Sequence, residues 1–380
     1  MLPARVEEIN YPQPMRRFSS FRDFDWTLLT LVLLMSVISV LEIRSATLHT
    51  KFRGFEERQV AFLLVGILLM FVISVIDYHR LVDIAPWLYG AGLLSLVAVK
   101  LVGTSVMGGK RWINLGGGVH FQPSEWVKLV LILAVARYFW GLAGRALTWT
   151  DIAKAFVMVG IPMYLVLKQP DLGTALTYLP VLLAGLFLGG IRLKQTAILL
   201  LLFAAVGSGA WLSGKRLKGY QQARINSFIN PDTDPKGSGY QIKQSLIAVG
   251  SGGIWGKGTN KGTQTQGDFL PIPYTDFIFA AFCEEHGFVG GIGILLLYFL
   301  ILTRLIQNAQ QASDMPGTFI VMGVVAVVLF QIVVNIGMVV GLMPVTGIPL
   351  PLMSYGGSSI LFTFLALGIV MNIRMRRFVN

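Results

Sequence analysis

The chain has 380 residues, 54% hydrophobic and only 13% charged, which is too apolar and too sparsely charged for a soluble globular protein. This composition, with uncharged runs of helical length rather than short alternating strands, defines an all-α polytopic membrane protein and excludes a barrel. A net charge of +12 would raise nucleic-acid binding in a soluble domain. Here the basic residues are divided among short connections and one loop, with no basic helix, so an anionic lipid or sugar phosphate fits better than nucleic acid.

Residues 1–24 carry Arg5, Arg16, Arg17 and Arg22 among acids and prolines, without the apolar core and cleavage site of a secretory signal. They read as a cytoplasmic tail. Ten spans follow, at about 25–43, 59–76, 84–102, 123–142, 151–167, 172–190, 195–212, 276–303, 316–342 and 357–373. They make one ten-helix domain over 25–373, followed by a short tail at 374–380, with a large loop at 213–275 between the seventh and eighth helices. With the long loop set aside, fourteen Lys and Arg residues lie on the side of the termini and nine on the other. The bias puts both termini in the cytoplasm and the loop outside it. No internal repeat is visible, which weakens folds built from duplicated halves.

The connection after the third span reads Gly109-Lys110-Arg111-Trp112-Ile113-Asn114, then Phe121-Gln122-Pro123-Ser124-Glu125. Pro123 suits the first position of the fourth helix, where its missing amide would be unpaired anyway. Glu125 and Lys128 then share a helical face at i, i+3. Spacing alone leaves a structural ion pair and a functional pair equally open, although charges so near the hydrocarbon usually face a cavity or a partner. Lys168-Gln169-Pro170-Asp171 joins spans five and six with almost no linker, and Asp171 reads first as a cap of the sixth helix.

The loop holds eight Lys and Arg residues against Asp232, Asp234 and Asp268. Its run Gly250-Ser251-Gly252-Gly253-Ile254-Trp255-Gly256-Lys257-Gly258 frees the backbone for close approach and for anion-binding nests. Asp276 stands where the loop re-enters an apolar helix. It can act as a general base beside a basic loop, or it or Thr275 can simply cap the eighth helix, and spacing does not separate the two. Glu284 and Glu285 lie roughly 12 Å further along the axis at about 1.5 Å per residue, too far to share a reaction centre with Asp276. They read as hydrogen-bonded internal acids or as a break near Gly287. From Met315 to Ile373 the chain is uncharged, yet three prolines interrupt it at Pro344, Pro349 and Pro351. Irregular apolar backbone of this kind lines a cavity or is buried in protein.

Familiar chemistries are set aside. His49, His79, His120 and His286 have no ligand spacing for a built-in zinc site. Ser251 and Gly258 stand where a P-loop needs Gly and Ser or Thr, and no nucleophile elbow is present. The single cysteine, Cys283, rules out a disulfide framework and reads as a core residue. What remains is a carboxylate beside Lys and Arg residues, with room for a divalent cation (Mg or Mn), that can deprotonate a sugar hydroxyl while a pyrophosphate departs.

The ordered set of motifs resembles the shape, elongation, division and sporulation (SEDS) family of bacterial membrane glycosyltransferases. The matching segments are Gly109-Lys110-Arg111-Trp112, Phe121-Gln122-Pro123-Ser124-Glu125, Gln169-Pro170-Asp171-Leu172-Gly173-Thr174, Gly239-Tyr240-Gln241-Ile242-Lys243-Gln244-Ser245, Gly262-Thr263-Gln264-Thr265-Gln266, Thr275-Asp276-Phe277-Ile278-Phe279-Ala280 and Pro349-Leu350-Pro351-Leu352-Met353-Ser354-Tyr355-Gly356-Gly357-Ser358. The Gly-Thr-Gln-Thr-Gln run is more like the rod-shape branch than the division branch. The resemblance implies an inverting polymerisation of lipid II into β-1,4-linked glycan strands during cell elongation, at the outer face of the cytoplasmic membrane. Asp276 would be the general base and undecaprenyl pyrophosphate the leaving group. It also implies a class B penicillin-binding protein as partner, with other elongation-machinery membrane proteins, and no organic cofactor. By the same carry-over Arg111, Trp112, Glu125, Lys128, Asp171, Lys243, Gln264, Ser354 and Gly356 are candidates for binding substrate. Many members have His where this chain has Tyr274, which removes that histidine as an aid to Asp276. A lipid flippase and a scaffold for wall-building partners are the competing expectations.

Overall fold

The computed structural model describes residues 23–50, 52–106, 109–114, 116, 120–212, 219–235 and 237–378. The expected tail up to residue 22, with its four arginines, the first residues of the loop at 213–218 and the last two residues lie outside them.

The apolar runs fold as helices close to the expected bounds. Helix α1 (Trp26–Thr47) starts on Asp25, whose carboxylate accepts the Leu28 amide at 3.1 Å. It is followed by α2 (Phe55–Val75), the short α3 (Tyr78–Asp83) and α4 (Ala85–Val102). The next connection is not plain loop. Strands β1 (Thr104–Val106), β2 (Gly109–Asn114) and β3 (His120–Phe121) form an antiparallel sheet in that order, with Thr104 opposite Trp112 and Ile113 opposite Phe121. Strands this short carry too little alternation to be read from sequence.

Helix α5 (Pro123–Trp140) opens on Pro123 as expected, and α6 (Trp149–Leu167) opens on a reciprocal Thr148–Asp151 capping box. The sixth span arrives in two pieces, α7 (Leu172–Leu176) and α8 (Leu179–Leu188), because Pro180 cannot continue the ladder of the preceding turn. After α9 (Leu193–Leu212), the loop contains α10 (Gly219–Ile229), α11 (Ser238–Ser251) and the single turn α12 (Thr263–Gln266). It is thus more helical than its glycine content implied. Helices α13 (Ile278–Gln310), α14 (Met315–Val339) and α15 (Gly357–Met375) complete the chain.

Seven of these helices are long and apolar enough to cross a membrane, and two shorter apolar helices cover Leu172–Leu188 and Leu193–Ala205. Helix α5 is the tenth span; it carries Glu125, Lys128 and Arg137, yet nearly all of it is buried. The end-to-end pairings agree with ten crossings. The start of α1 meets the ends of α13 and α15, where Arg304 Nε lies 2.9 Å from both Asp25 oxygens and Arg374 Nη1 lies 3.6 Å from Oδ2. Asp77, after α2, pairs with Arg376 at 3.0 Å, and His79 meets Asp314, before α14, at 2.7 Å. The loop gathers at the opposite end of the bundle.

Helix α13 is broken at Gly287, where φ is 68° and ψ is −165°. The loop repairs the break. The amides of Lys257 and Gly258 donate to the carbonyls of Glu284 and Glu285 at 3.0 and 2.9 Å, while those of Phe288 and Val289 donate to Gly253 and Ile254 at 2.9 and 3.1 Å. Freed backbone groups at membrane depth require such partners. The glycine-rich run, read from sequence as an anion nest, here supplies its close backbone approach to a helix. A side chain at 287 would need backbone dihedrals reserved for glycine and would collide with Gly256 N. Gly287→Ala is therefore expected to lower stability by at least about 1–3 kcal/mol, read as a drop in the unfolding midpoint of the detergent-purified protein.

Candidate active site

Asp276 lies one residue before Phe277, the N-cap of α13, and no side chain caps that helix. The capping alternative is therefore not the one realised. The backbone around the carboxylate is clamped instead. Asn335 Nδ2, on α14, donates to the Asp276 carbonyl at 2.9 Å and to the Ile348 carbonyl at 2.8 Å. Ser354 Oγ donates to the Thr275 carbonyl at 2.6 Å while accepting the Leu350 amide at 2.8 Å. The Tyr355 amide donates to the Tyr274 carbonyl at 2.9 Å. The proline-interrupted run is thus the buried wall behind Asp276. At Gly347, φ is +72° and a Cβ would lie 3.4 Å from Asp276 Oδ2, so the wall approaches the carboxylate closely there.

Burial raises the pKa of Asp276 to about 6. The guanidiniums of Arg224 and Arg111 and the Thr275 hydroxyl oppose that rise, and Asp171 adds to it. Arg224 reaches over from α10 and donates to the Thr346 carbonyl at 3.1 Å. Arg111, on β2, has its Nη1 3.4 Å from Asp171 Oδ2. Two cations from separate elements therefore bear on one carboxylate whose protonation changes just below neutrality.

The other expected residues divide into groups. Asp171 caps α7, accepting the Thr174 amide at 3.1 Å, as its position suggested. It also accepts Gln122 Nε2 at 3.0 Å, which ties the N-cap of α5 to α7 beside Arg111. Glu125 and Lys128 form a buried pair at 2.6 Å, with the ammonium 4.3 Å from the centre of the Phe362 ring. Trp112 lies edge-on to His120 at 6.4 Å in the small sheet. Gly356 is the N-cap of α15, and Ser354 belongs to the clamp. Lys243 sits apart in a surface ion pair with Asp232. Gln264 gives its amide to Glu284 at 2.8 Å, and that carboxylate also receives Lys257 at 2.7 Å and the Thr265 amide at 3.0 Å. Glu284 is therefore a hydrogen-bonded internal acid, as its spacing favoured.

Tyr274, in place of the frequent histidine, is 4% exposed and wedged between Phe52 and Phe55 at 5.0 and 5.4 Å. Burial pushes its hydroxyl up to about 12, so it stays neutral. Sequence reasoning missed Arg224 and Asn335. Arg224 was one of eight bases in the loop with nothing to single it out, but Asn335 left a signal as an amide inside an uncharged apolar span.

Comparison with known proteins agrees with this architecture. The family model for FtsW, RodA and SpoVE, described as a cell cycle protein, matches residues 23–378. The chain is 39% identical over 354 residues to the peptidoglycan glycosyltransferase MrdB of Escherichia coli, covering 93% of this chain and 94% of that one. It is 33% identical over 433 residues to the peptidoglycan glycosyltransferase RodA of Treponema pallidum, covering 95% and 100%. A solved chain from work on coordinated polymerization and crosslinking by a peptidoglycan synthase complex superposes with a TM-score of 0.81 at 33% identity, covering 94% of this chain and 99% of that one. A ten-span bundle this similar to peptidoglycan glycosyltransferases over nearly its whole length is a membrane glycosyltransferase. The chain belongs to the FtsW/RodA/SpoVE family, also called SEDS, and within it is RodA-like.

Because Arg224 favours the charged form of Asp276, Arg224→Gln should move the titration of that carboxylate upward from about 6. Infrared difference spectra of the carboxyl band, with Asp276→Asn to assign it, measure the shift.

Proposed function

We propose that the protein polymerises lipid II into β-1,4-linked glycan strands, with Asp276 as the general base. The observation that carries this reading is a half-buried carboxylate free of any capping duty, raised by desolvation to titrate near 6, with Arg111 and Arg224 acting on it. Asp276 takes the proton from the 4-hydroxyl of the acceptor GlcNAc as that oxygen attacks C1 of the donor MurNAc. The C1–oxygen bond to undecaprenyl pyrophosphate breaks with its electron pair staying on the pyrophosphate. An α-linked donor gives a β bond in one inversion, so a single base suffices and no sugar–enzyme intermediate forms. The two guanidiniums take up charge on the leaving group, where fixed positive groups contribute most.

Glu125 and Lys128 act as a buried strut at the start of α5, and Asp171 holds Arg111 in place. Trp112 faces the sugar from the small sheet. In this reading Lys243, Gln264 and Gly356, expected among the residues that bind substrate, keep the loop and the start of α15 in position. The described charges nearest Asp276 are two arginines and one further carboxylate, Asp171, which do not fit a cation cage. A divalent cation, Mg or Mn, enters this reading only as a companion of the pyrophosphate, and no step is routed through it. The protein works in the bacterial cytoplasmic membrane, termini inside and loop outside, beside a class B penicillin-binding protein that crosslinks its product. A family relative solved within work on a polymerising and crosslinking complex supports that pairing.

The test is polymerisation of labelled lipid II by the purified protein with its cognate penicillin-binding partner, with penicillin added to silence crosslinking. The parent should make glycan ladders, and Asp276→Ala should lose at least about 10²–10⁴-fold in rate while still folding and binding the partner. Equal product from both would refute the assignment; failure of the parent would favour flipping or scaffolding. The parental rate should also climb as pH rises through about 6, where the base becomes charged, and flatten above it.

A further inference from the structure

A second cluster of ionisable groups lies apart from Asp276, between α1 and the first half of α13. Glu42, Glu285 and His286 each offer a ligand atom, and the three atoms lie within 4.8 Å of one another. Glu42 and Glu285 are 2% and 1% exposed. Ser45 Oγ donates to Glu285 Oε1 at 2.5 Å, and Gln266 Nε2 approaches the same oxygen at 3.4 Å. The other oxygen of Glu285, Oε2, and Oε1 of Glu42 are buried without any hydrogen-bond partner. His286 Nδ1 is 3.9 Å from Glu42 Oε2 and 3.3 Å from the Phe282 carbonyl. No lysine or arginine among the described residues pairs with either acid; Lys257 is taken by Glu284 at 2.7 Å.

Two carboxylates, each with an unmet oxygen, grouped with one imidazole form a donor set that lacks its cation. Buried acids without a counter-charge are costly at membrane depth. Atoms bound to one ion at about 2.0–2.2 Å stand at most about 4.4 Å apart, so small side-chain movements close this set on a metal. Oxygen-only cages suit Mg²⁺ and Ca²⁺, whereas two carboxylates with a histidine suit Mn²⁺ or Zn²⁺.

We propose that Glu42, Glu285 and His286 bind one first-row divalent cation, Mn²⁺ or Zn²⁺, which joins α1 to α13 one residue before the break at Gly287. Glu285 is nine residues along the chain from Asp276, more than about 10 Å at roughly 1.5 Å per helical residue. The ion therefore takes no part in the glycosyl transfer and holds the segment on which Asp276 is mounted. The site does not depend on the catalytic reading of Asp276.

The experiment uses the full chain in detergent, stripped with EDTA, exchanged into metal-free buffer and titrated with MnCl₂ while electron paramagnetic resonance counts free and bound Mn²⁺. The parent should bind one Mn²⁺, show nitrogen modulation in its pulsed spectrum and unfold at higher temperature with the ion bound. Zn²⁺ should displace the Mn²⁺. Glu42→Gln and Glu285→Gln should weaken binding by at least about tenfold and remove the thermal gain. His286→Ala, at a half-exposed position that can be replaced without a core cavity, should abolish the nitrogen modulation. Asp276→Asn should bind Mn²⁺ like the parent. No stoichiometric binding by the parent, as for two acids sharing a proton, would overturn the proposal. So would undiminished binding by both glutamine variants, or loss of binding in Asp276→Asn alone.

Discussion

The structure depends on backbone hydrogen bonds that a membrane helix has given up. At Gly287 the ladder of α13 stops, and the groups it releases must find partners where water cannot supply them. The loop provides them, with Lys257 and Gly258 above the break and Gly253 and Ile254 below it. This one junction fixes where the loop enters the bundle. It fixes the turn α12 as well, because Glu284 sits just before the break and receives the amides of Gln264 and Thr265. The first turns of α13, and hence Asp276, inherit their position from a repaired defect.

A second division of labour concerns charge. Four buried acids are answered locally: Asp25 by Arg304, Glu125 by Lys128, Glu284 by Lys257, and Asp171 by Gln122 and Arg111. The cations that answer Asp276 act on it at a distance, and its carboxylate is left to change charge near neutrality. That contrast separates it from every acid whose partner is in direct contact, and the neighbouring Tyr274 adds no titrating group of its own.

Much of this was legible in the sequence. Span positions came within a few residues because long uncharged runs admit few alternatives in a bilayer, and α5 was recoverable because Pro123 marks its start. The motif around Asp276 and its proline-rich wall could be found, and so could the pairing of Glu125 with Lys128, which spacing fixes on one face. The rest was hidden for physical reasons. The three short strands lack a pattern, and the split of the sixth span turned on one proline within an apolar run. The glycine-rich run permitted close approach without saying to what. Arg224 and Asn335 come to Asp276 from elements far away in the chain, and local spacing carries no record of such meetings.

The two ends of the bundle are held by different kinds of force. At the terminal end, Asp23, Asp25 and Asp77 are tied to Arg377, Arg304, Arg374 and Arg376, partly at the surface. Added salt screens such contacts. The clamp on Asp276 is made of neutral groups, an amide on two carbonyls, a hydroxyl between a carbonyl and an amide, and one strand-like backbone contact. Ionic strength has little hold on those bonds. A change of ionic strength at the terminal end would thus loosen that charged seam while the neutral frame around Asp276 kept its shape.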